Sequence, residues 1–276
     1  MGPVTFRTYH QVDGADQSGL AGQVDDQRRR VTARMATVRR VVAVMSGKGG
    51  VGKSYITARL ARGLAAGGRA IGVLDADLRS PTVARTLAAM GPLTVEADAV
   101  TPAWTPEGIR VISTDLLLAE GQPLRWHEPQ TERFIWRGVL ETGTLREFLA
   151  DVAWGALDYL LVDLPPGADG VADLHALVPG MAGAVAVTIP SDESRRSVAR
   201  TMQSAREAGI PLLGLVENMA GYRCAECGRT GALFGGDAAA HLTSAFKVPL
   251  LGSLPFAPGP LGPHRDLAVA LEEVCA

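Results

Sequence analysis

The sequence predicts an α/β fold in which a doubly wound, mostly parallel sheet carries helices on both faces. Three observations predict it. Short apolar runs of strand length alternate with stretches whose apolar residues recur at helical spacing. A glycine-rich segment, residues 47–54, lies directly between the first such strand and the first such helix. Aspartates follow two of the apolar strands, at the carboxyl ends where open α/β sheets bind their ligands.

Composition sets the limits of this prediction. The 276 residues are 47% hydrophobic and 20% charged, which allows one large α/β domain, or such a domain with a small extension. The net charge of −2 predicts no general attraction to nucleic acid or to an anionic membrane. There is no apolar run of membrane-spanning length and no signal-peptide pattern. Three cysteines are too few for a secreted disulfide framework, so we expect a cytoplasmic protein.

The first part of the chain differs from the rest. Residues 1–38 are predicted to form a polar N-terminal extension, and residues 39–276 the main domain. Within the first part, Gln23–Arg40 predicts a helix rich in arginine. Such a run usually marks a solvated helix face, and we favour that interpretation over an arm that binds nucleic acid or a partner.

The elements of the main domain follow in order. Val41–Met45 is an apolar strand, and the helix after the glycine-rich segment ends at Gly67 and Gly68. A later helix is predicted over Leu140–Ala153, and the stretch from Gly91 to Trp136 has the least clear pattern of the domain. Further strands are predicted at Ala70–Leu74, Ile109–Ile112, Tyr159–Val162, Ala182–Ile189, Pro211–Val216 and Pro249–Leu254.

One more helix has recognisable ends. It follows Ser191, a residue suited to the N-cap, and Gly209 is suited to end it.

The glycine-rich segment fits the pattern of a phosphate-binding loop, Gly47-Lys48-Gly49-Gly50-Val51-Gly52-Lys53-Ser54. Glycines allow a tight turn in which several N–H groups point at phosphate oxygens, and the helix behind the loop adds the positive end of its dipole. In this pattern Lys53 holds the β and γ phosphates and the Ser54 hydroxyl ligates Mg²⁺. Tyr55 follows and completes the predicted nucleotide site. A strand-to-helix turn that binds nothing is the alternative.

The loop contains a second lysine, Lys48. Two ammonium groups about 4 Å apart repel each other by about 4 kcal/mol at an effective dielectric near 20, so we expect an anion such as a nucleotide triphosphate to compensate. The pattern resembles the deviant Walker A motif of the MinD/ParA/nitrogenase iron-protein class. That resemblance implies that Lys48 reaches across a dimer to the partner's nucleotide. A solvated surface lysine is the alternative.

Three aspartates are candidates for binding the metal or orienting water beside the phosphates. Asp75 and Asp77 lie two apart at a strand end, so they share a face if the strand continues to Asp77. The class resemblance implies that Asp77 positions the attacking water and that Asp75 supports the metal. Asp163 ends an apolar strand, which suits a Walker B acid, and Gly167 follows it in a segment that resembles switch II. Ordinary aspartates in turns are the alternative.

The preferred nucleotide is suggested by the residue after a late strand. No Asn-Lys-x-Asp motif for guanine occurs, whereas Asn218 offers both a donor and an acceptor for an adenine edge. ATP is therefore favoured over GTP. The alternative is that Asn218 caps its own loop.

Two cysteines, Cys224 and Cys227, lie in a loop over residues 221–236 and can present two thiolates to one metal. A redox pair or two unrelated thiols are the alternatives. Zinc or an iron–sulfur cluster needs four ligands, and neither Cys275 nor a histidine lies at a suitable spacing. A symmetric homodimer would supply the missing two.

Taken in order, these motifs resemble the Mrp/ApbC family of iron–sulfur cluster carrier P-loop ATPases over residues 38–258. The resemblance implies slow ATP hydrolysis with Mg²⁺ and a [4Fe–4S] cluster held across a homodimer by Cys224 and Cys227. It also implies transfer of the cluster to apo iron–sulfur proteins. The matching segments are the loop from Ser46, Leu-Asp-Ala-Asp from Leu74, Trp136-Arg137-Gly138, Val-Asp-Leu-Pro-Pro-Gly from Val162, and Glu-Asn-Met before Cys-x-x-Cys-Gly.

The chain departs from that family at three places, where we expect altered or slow switching. Tyr55 replaces a threonine, 168–170 read Ala-Asp-Gly instead of Thr-Gly-Asp, and 79–82 read Arg-Ser-Pro-Thr. Two other functions stay open. One is a MinD/ParA-like positioning ATPase, although the chain lacks a basic amphipathic helix at its C-terminus. The other is a dimeric scaffold bridged by zinc.

Overall fold

The computed structural model of the protein describes residues 20–91, 93–96, 99–116, 133–224, 226–256 and 261–276. The helices described are α1 Leu20–Met35, α2 Lys53–Ala66, α3 Val83–Thr86, α4 Arg133–Asp151, α5 Asp169–Leu177, α6 Asp192–Glu207, α7 Ala238–Phe246 and α8 Arg265–Cys275, with a 3₁₀ turn at Thr114–Leu116. The strands are β1 Val38–Ser46, β2 Ile71–Asp75, β3 Thr94–Glu96, β4 Ala99–Thr101, β5 Ala103–Trp104, β6 Arg110–Ile112, β7 Leu157–Asp163, β8 Gly183–Thr188, β9 Leu212–Arg223, β10 Thr230–Gly231 and β11 Leu250–Phe256.

Nine of these strands form one sheet in the order β10-β9-β8-β1-β7-β2-β6-β5, and β11 pairs with β9. The strands from β6 through β2, β7, β1 and β8 to β9 are parallel, as are β9 and β11. The short strands β5 and β10 are antiparallel to their neighbours. The predicted doubly wound, mostly parallel sheet is therefore confirmed. β1 is a central strand of this sheet and leads into the glycine-rich loop.

Two apolar layers cover the sheet, and β1 contributes to both. Val42 and Val44 pack with α2, α3 and α8, whereas Val41, Ala43 and Met45 pack with the layer that contains α1, α4, α5, α6 and α7. Successive side chains of a strand point to opposite faces, so a strand covered on both sides is apolar without alternation. This burial explains why the sequence showed β1 as one continuous apolar run.

The predicted helix over Gln23–Arg40 is wrong at its end. α1 stops at Met35, and Arg39 and Arg40 belong to β1. The strand extends this far because Val38 pairs with β7, and the Arg40 guanidinium lies 5.7 Å from the centre of the Tyr159 ring. The register with the neighbouring strand thus overrides the helical pattern.

Other differences lie where elements are short. The helix predicted from Leu140 begins at Arg133. Between Gly91 and Trp136, β6 matches the strand predicted at Ile109–Ile112. The structure also describes β3, β4 and β5 there, which are two or three residues long and too short to show periodicity. Among the described helices, none has both the length and the apolar character needed to cross a lipid bilayer.

The inner face of α1 packs onto the domain. Val31 and Met35 lie in the core beside α4, with exposed fractions of 2% and 9%. Arg30 contacts Asp151 at 2.6 Å, whereas Arg29 is exposed, as expected for a solvated face. The division of the chain at residue 38 stays a prediction.

Val31→Ala should lower the free energy of unfolding by about 2 kcal/mol, because it removes two buried methyl groups and leaves a cavity. Chemical denaturation measures the change. The control Arg29→Ala alters an exposed ion pair on the same helix and should change stability by less than about 0.5 kcal/mol. Equal stability of Val31→Ala and the wild type would show that α1 does not pack on the domain in solution.

Candidate functional site

The glycine-rich loop joins β1 to α2 at the carboxyl edge of the sheet. Gly50 and Gly52 have φ angles of 79° and 82°, a region that glycine enters without strain. A Cβ on Gly47 would lie 2.2 Å from the carbonyl carbon of Ser197, so the loop and α6 are in direct backbone contact. Because α2 begins at Lys53, its N-terminal N–H groups face the loop.

A buried carboxylate lies behind the loop. Asp163, the last residue of β7, is fully buried and accepts hydrogen bonds from Ser54 Oγ at 2.6 Å and Thr57 Oγ1 at 2.7 Å. The Lys53 ammonium lies 2.8 Å from Asp163 Oδ2. Its nitrogen is buried, yet among the described residues it has no well-oriented hydrogen-bond acceptor. A cation held in this way is suited to a further anionic oxygen.

Asp75 organises the segment after β2. Its buried carboxylate accepts hydrogen bonds from the N–H groups of Thr82 and Val83, at 3.0 and 3.2 Å, and from Ser113 Oγ at 3.1 Å. Burial raises the pKa of Asp75 to about 7, and the nearby charge of Asp163 adds to the rise. Asp75 therefore holds the start of α3 against the sheet.

The condition for a shared face of Asp75 and Asp77, a strand that continues to Asp77, is not met. β2 ends at Asp75, so the strand does not continue and Asp77 lies in the following turn. Asp77 is half-buried and its Oδ1 accepts from the Ser80 N–H at 3.2 Å. Burial raises the pKa of Asp77, while the Lys53 charge lowers it. Asp77 and the loop lysine are thus electrostatically coupled although they lie on different segments.

A cleft of about 480 Å³ opens beside Asp77. Its walls include Ser80, Pro165 and Gly167, so it lies between the segments that follow β2 and β7. The Gly167 N–H donates to the Ser46 carbonyl at 2.9 Å. The segment predicted as switch II is therefore attached to the end of β1, and Gly167 must give up this bond before it can turn toward another acceptor.

Lys48 is also paired with a carboxylate of the same chain. Its ammonium lies 2.9 Å from Glu193 Oε2, in the first turn of α6. The anion that the lysine pair requires is thus present within the chain, as Asp163 beside Lys53 and Glu193 beside Lys48. Glu193 was not predicted as a partner of Lys48, because 145 residues separate the two.

Asn218 lies under the loop. It is 4% exposed, and its Nδ2 donates to the Val51 carbonyl at 3.0 Å, directly beneath Gly52. This contact supports the loop, and recognition of adenine by Asn218 stays a prediction. Tyr55 is partly buried and accepts from Arg59 Nε at 3.0 Å.

The cysteine pair lies in a tight turn between β9 and β10. The Cys224 N–H donates to the Arg229 carbonyl and the Gly228 N–H to the Cys224 carbonyl, both at 2.9 Å. Hydrogen bonds from the backbone N–H groups of Cys227 and Glu226 lower the pKa of Cys224. A stabilised thiolate is the form that binds metals.

Among the described residues, the turn brings together two candidate thiol ligands and no third. Within the described ranges, no three His, Cys, Asp or Glu side chains are grouped closely enough to hold a metal. Cys227 is exposed, while Cys275 lies in α8, where its carbonyl accepts from Arg40 Nε. The structure thus brings the loop, Asp75, Asp77 and Asp163 together and gives the cysteine pair a separate turn.

Sequence reasoning missed two further residues of the site. Thr57 contacts the same carboxylate as Ser54 and lies one helical turn after it, a spacing that the sequence does show. Ser113, which contacts Asp75, follows β6 and had no recognisable pattern around it.

The position of the loop in the sheet defines the class of protein. A loop of this pattern after a central parallel strand, with a buried acid at the end of the adjacent strand, is the arrangement of P-loop NTPases. The nucleotide-binding protein of Archaeoglobus fulgidus in complex with ADP superposes with a TM-score of 0.69 and 32% identity, covering 90% of this chain and 91% of that one. The cell division ATPase MinD of Pyrococcus furiosus shares the fold, with a TM-score of 0.53 and 22% identity over 86% and 97% of the two chains.

Within that class, the chain belongs to the ParA family described as NUBPL iron-transfer P-loop NTPase, whose family model matches residues 37–263. The iron-sulfur cluster carrier protein of Saccharolobus solfataricus is 37% identical over 232 residues, 83% of this chain and 75% of that protein. The cytosolic Fe-S cluster assembly factor NUBP2 of Homo sapiens is 37% identical over 233 residues, 81% of this chain and 82% of the relative. The family resemblance inferred from the motifs is confirmed.

Proposed function

We propose that the protein is an ATP-dependent iron–sulfur cluster carrier. Two copies bind one [4Fe–4S] cluster between them and transfer it to apo iron–sulfur proteins. The observation that carries the proposal is the turn with Cys224 and Cys227, which offers two of the four thiolates that a cluster requires, in a chain that belongs to an iron-transfer NTPase family. Relatives named cluster carrier and cytosolic assembly factor support the cargo and a cytoplasmic location.

The loop is the proposed ATP site. Its proposed residues are Gly47, Lys48, Gly49, Gly50, Val51, Gly52, Lys53, Ser54, Tyr55 and Asn218. The buried Lys53 ammonium, with no well-oriented acceptor among the described residues, suits the β and γ phosphates. The N–H groups at the start of α2 favour the same negative charge.

The oxygens around Ser54 suit Mg²⁺. Its hydroxyl and the Asp163 carboxylate are 2.6 Å apart, and both are oxygen donors of the kind this ion prefers. The bound ion would neutralise charge on the phosphates. Asp75 supports the metal indirectly in this proposal, because its oxygens hold the backbone of the segment that presents Asp77.

Asp77 is the proposed group that orients the attacking water. It lines the cleft between the segments that follow β2 and β7, and the Lys53 charge favours its ionised form. Lys48 is proposed to complete the site of the partner subunit. The altered residues at 79–82 and 168–170 lie on both sides of this cleft, which supports slow hydrolysis.

A zinc-bridged scaffold is the second candidate function. Four cysteine thiolates from two chains suit tetrahedral Zn²⁺ as well as they suit a cluster. A positioning ATPase shares the fold, but the cysteine turn has no use in that function.

Asp77→Ala should bind ATP with unchanged affinity and hydrolyse it at least about 100-fold more slowly, because the attacking water loses its orienting group. Nucleotide binding and single-turnover phosphate release measure the two effects. Asp173→Ala is the control, since Asp173 lines the same cleft without an assigned role. Hydrolysis by Asp77→Ala at the wild-type rate would refute the role of Asp77.

Lys48→Ala should keep ATP affinity and lose most hydrolysis. If Lys48 serves the partner's site, a heterodimer of Lys48→Ala and Asp77→Ala chains has one site with both defects and one intact site. Mixing two inactive variants should then restore part of the wild-type activity. Heterodimer formation is verified by affinity tags of two kinds. Heterodimers without restored hydrolysis would show that Lys48 does not act across the dimer.

Cys224→Ala and Cys227→Ala should each abolish cluster binding, whereas wild-type protein reconstituted without oxygen should hold about four irons per dimer. Iron and sulfide analysis with the visible spectrum measures the outcome. Cys275→Ala is the matched control and should bind normally, because Cys275 lies in α8. ATP binding should survive in all three variants. A colourless dimer that retains zinc and refuses iron would favour the scaffold.

A further inference from the structure

Lys48 is already engaged within its own chain. Its ammonium lies 2.9 Å from Glu193 Oε2. The Lys48 side chain is 27% exposed and that of Glu193 is 81% exposed. The contact therefore lies at the surface, where a competing anion can reach it.

The backbones that carry this ion pair are held in place. Gly47, the residue before Lys48, packs so closely on Ser197 of α6 that a side chain at Gly47 would clash with its backbone. The first turn of α6 is fixed by Ser191, whose hydroxyl accepts from the Ser194 N–H at 3.2 Å. Two long side chains on fixed backbones lose less freedom when they pair than side chains on mobile segments do.

The contact is specific to one of two neighbouring acids. Asp192 and Glu193 both lie in the first turn of α6, but Asp192 pairs with Arg195 at 3.3 Å and only Glu193 contacts Lys48. Both acids have the same favourable position at the helix N-terminus. The helix dipole therefore does not explain why Lys48 contacts Glu193 and not Asp192.

We propose that Glu193 is a positioning residue. It holds the Lys48 ammonium against its own subunit until the nucleotide of a partner subunit takes the place of Glu193. The inference rests on the proposed role of Lys48 across a dimer and adds the group that opposes this role. Glu193 and the phosphate of the partner subunit's nucleotide are both anionic. When the Lys48 ammonium moves from one to the other, one ion pair is exchanged for another. The intrachain pair therefore lowers the affinity of the nucleotide-dependent dimer.

Glu193→Gln should tighten that dimer about two- to fivefold, the range expected for losing one exposed competing ion pair. Sedimentation of the full chain with a non-hydrolysable ATP analogue measures the dissociation constant. The difference from wild type should shrink as salt rises, because exposed charges are screened. Asp192→Asn is the matched control: it removes the same charge from the same helix turn, and the dissociation constant should not change.

A second measurement tests the contact without requiring a dimer. Limited acetylation of the full chain without nucleotide, read by mass spectrometry, should modify Lys48 faster in Glu193→Gln than in wild type or Asp192→Asn. Equal acetylation, or an unchanged or weaker dimer of Glu193→Gln while the wild type dimerises, would overturn the proposal. A wild type that forms no nucleotide-dependent dimer, with the acetylation difference present, would count instead against the dimeric ATPase.

Discussion

The buried carboxylate of Asp163 is the constraint on which the site depends. A charge at the end of a central strand, fully removed from solvent, is tolerated only when it is paired and hydrogen-bonded. Lys53, Ser54 and Thr57 meet this need together, and all three come from the first turns of α2. The same contacts fix where α2 begins and therefore where the loop points. Loss of one partner from such a buried pair typically costs about 3–5 kcal/mol, so the stability of the fold and the proposed phosphate binding share these atoms.

Parallel strand order explains why the other groups meet there. β1, β2 and β7 are neighbours and all run in one direction, so their carboxyl ends bring the loop, Asp75 and Asp163 to one edge although the residues are far apart in sequence. A second set of backbone hydrogen bonds, from Thr82 and Val83 to Asp75, holds the next segment against this edge. The order of the strands thus brings these groups to one edge, and side-chain contacts then hold them there.

The central strands, the glycine-rich loop and the positions of Asp75 and Asp163 at strand ends could be predicted from the sequence, because each depends on local pattern. Apolar runs and glycine spacing are visible without knowledge of neighbours. Glu193 and Ser113 could not be found, since their importance arises from contacts across the fold. The limits of α1 and β1 were missed for the same reason. Whether Arg39 is in a helix or a strand is decided by the pairing of Val38 with β7.

β9 connects the two sites. The strand passes from Asn218, beneath the loop, to Arg223, next to Cys224, a distance of roughly 17 Å at about 3.3 Å per residue. It is irregular on the way: Met219 has a φ of 53°, and the ladder with β11 shifts register near its end. Asn218 and the cysteine pair therefore lie on one continuous segment of the chain. In the proposed carrier, thermodynamic linkage makes any coupling between these two ends reciprocal: the factor by which nucleotide changes the affinity for the cluster equals the factor by which the cluster changes the affinity for nucleotide.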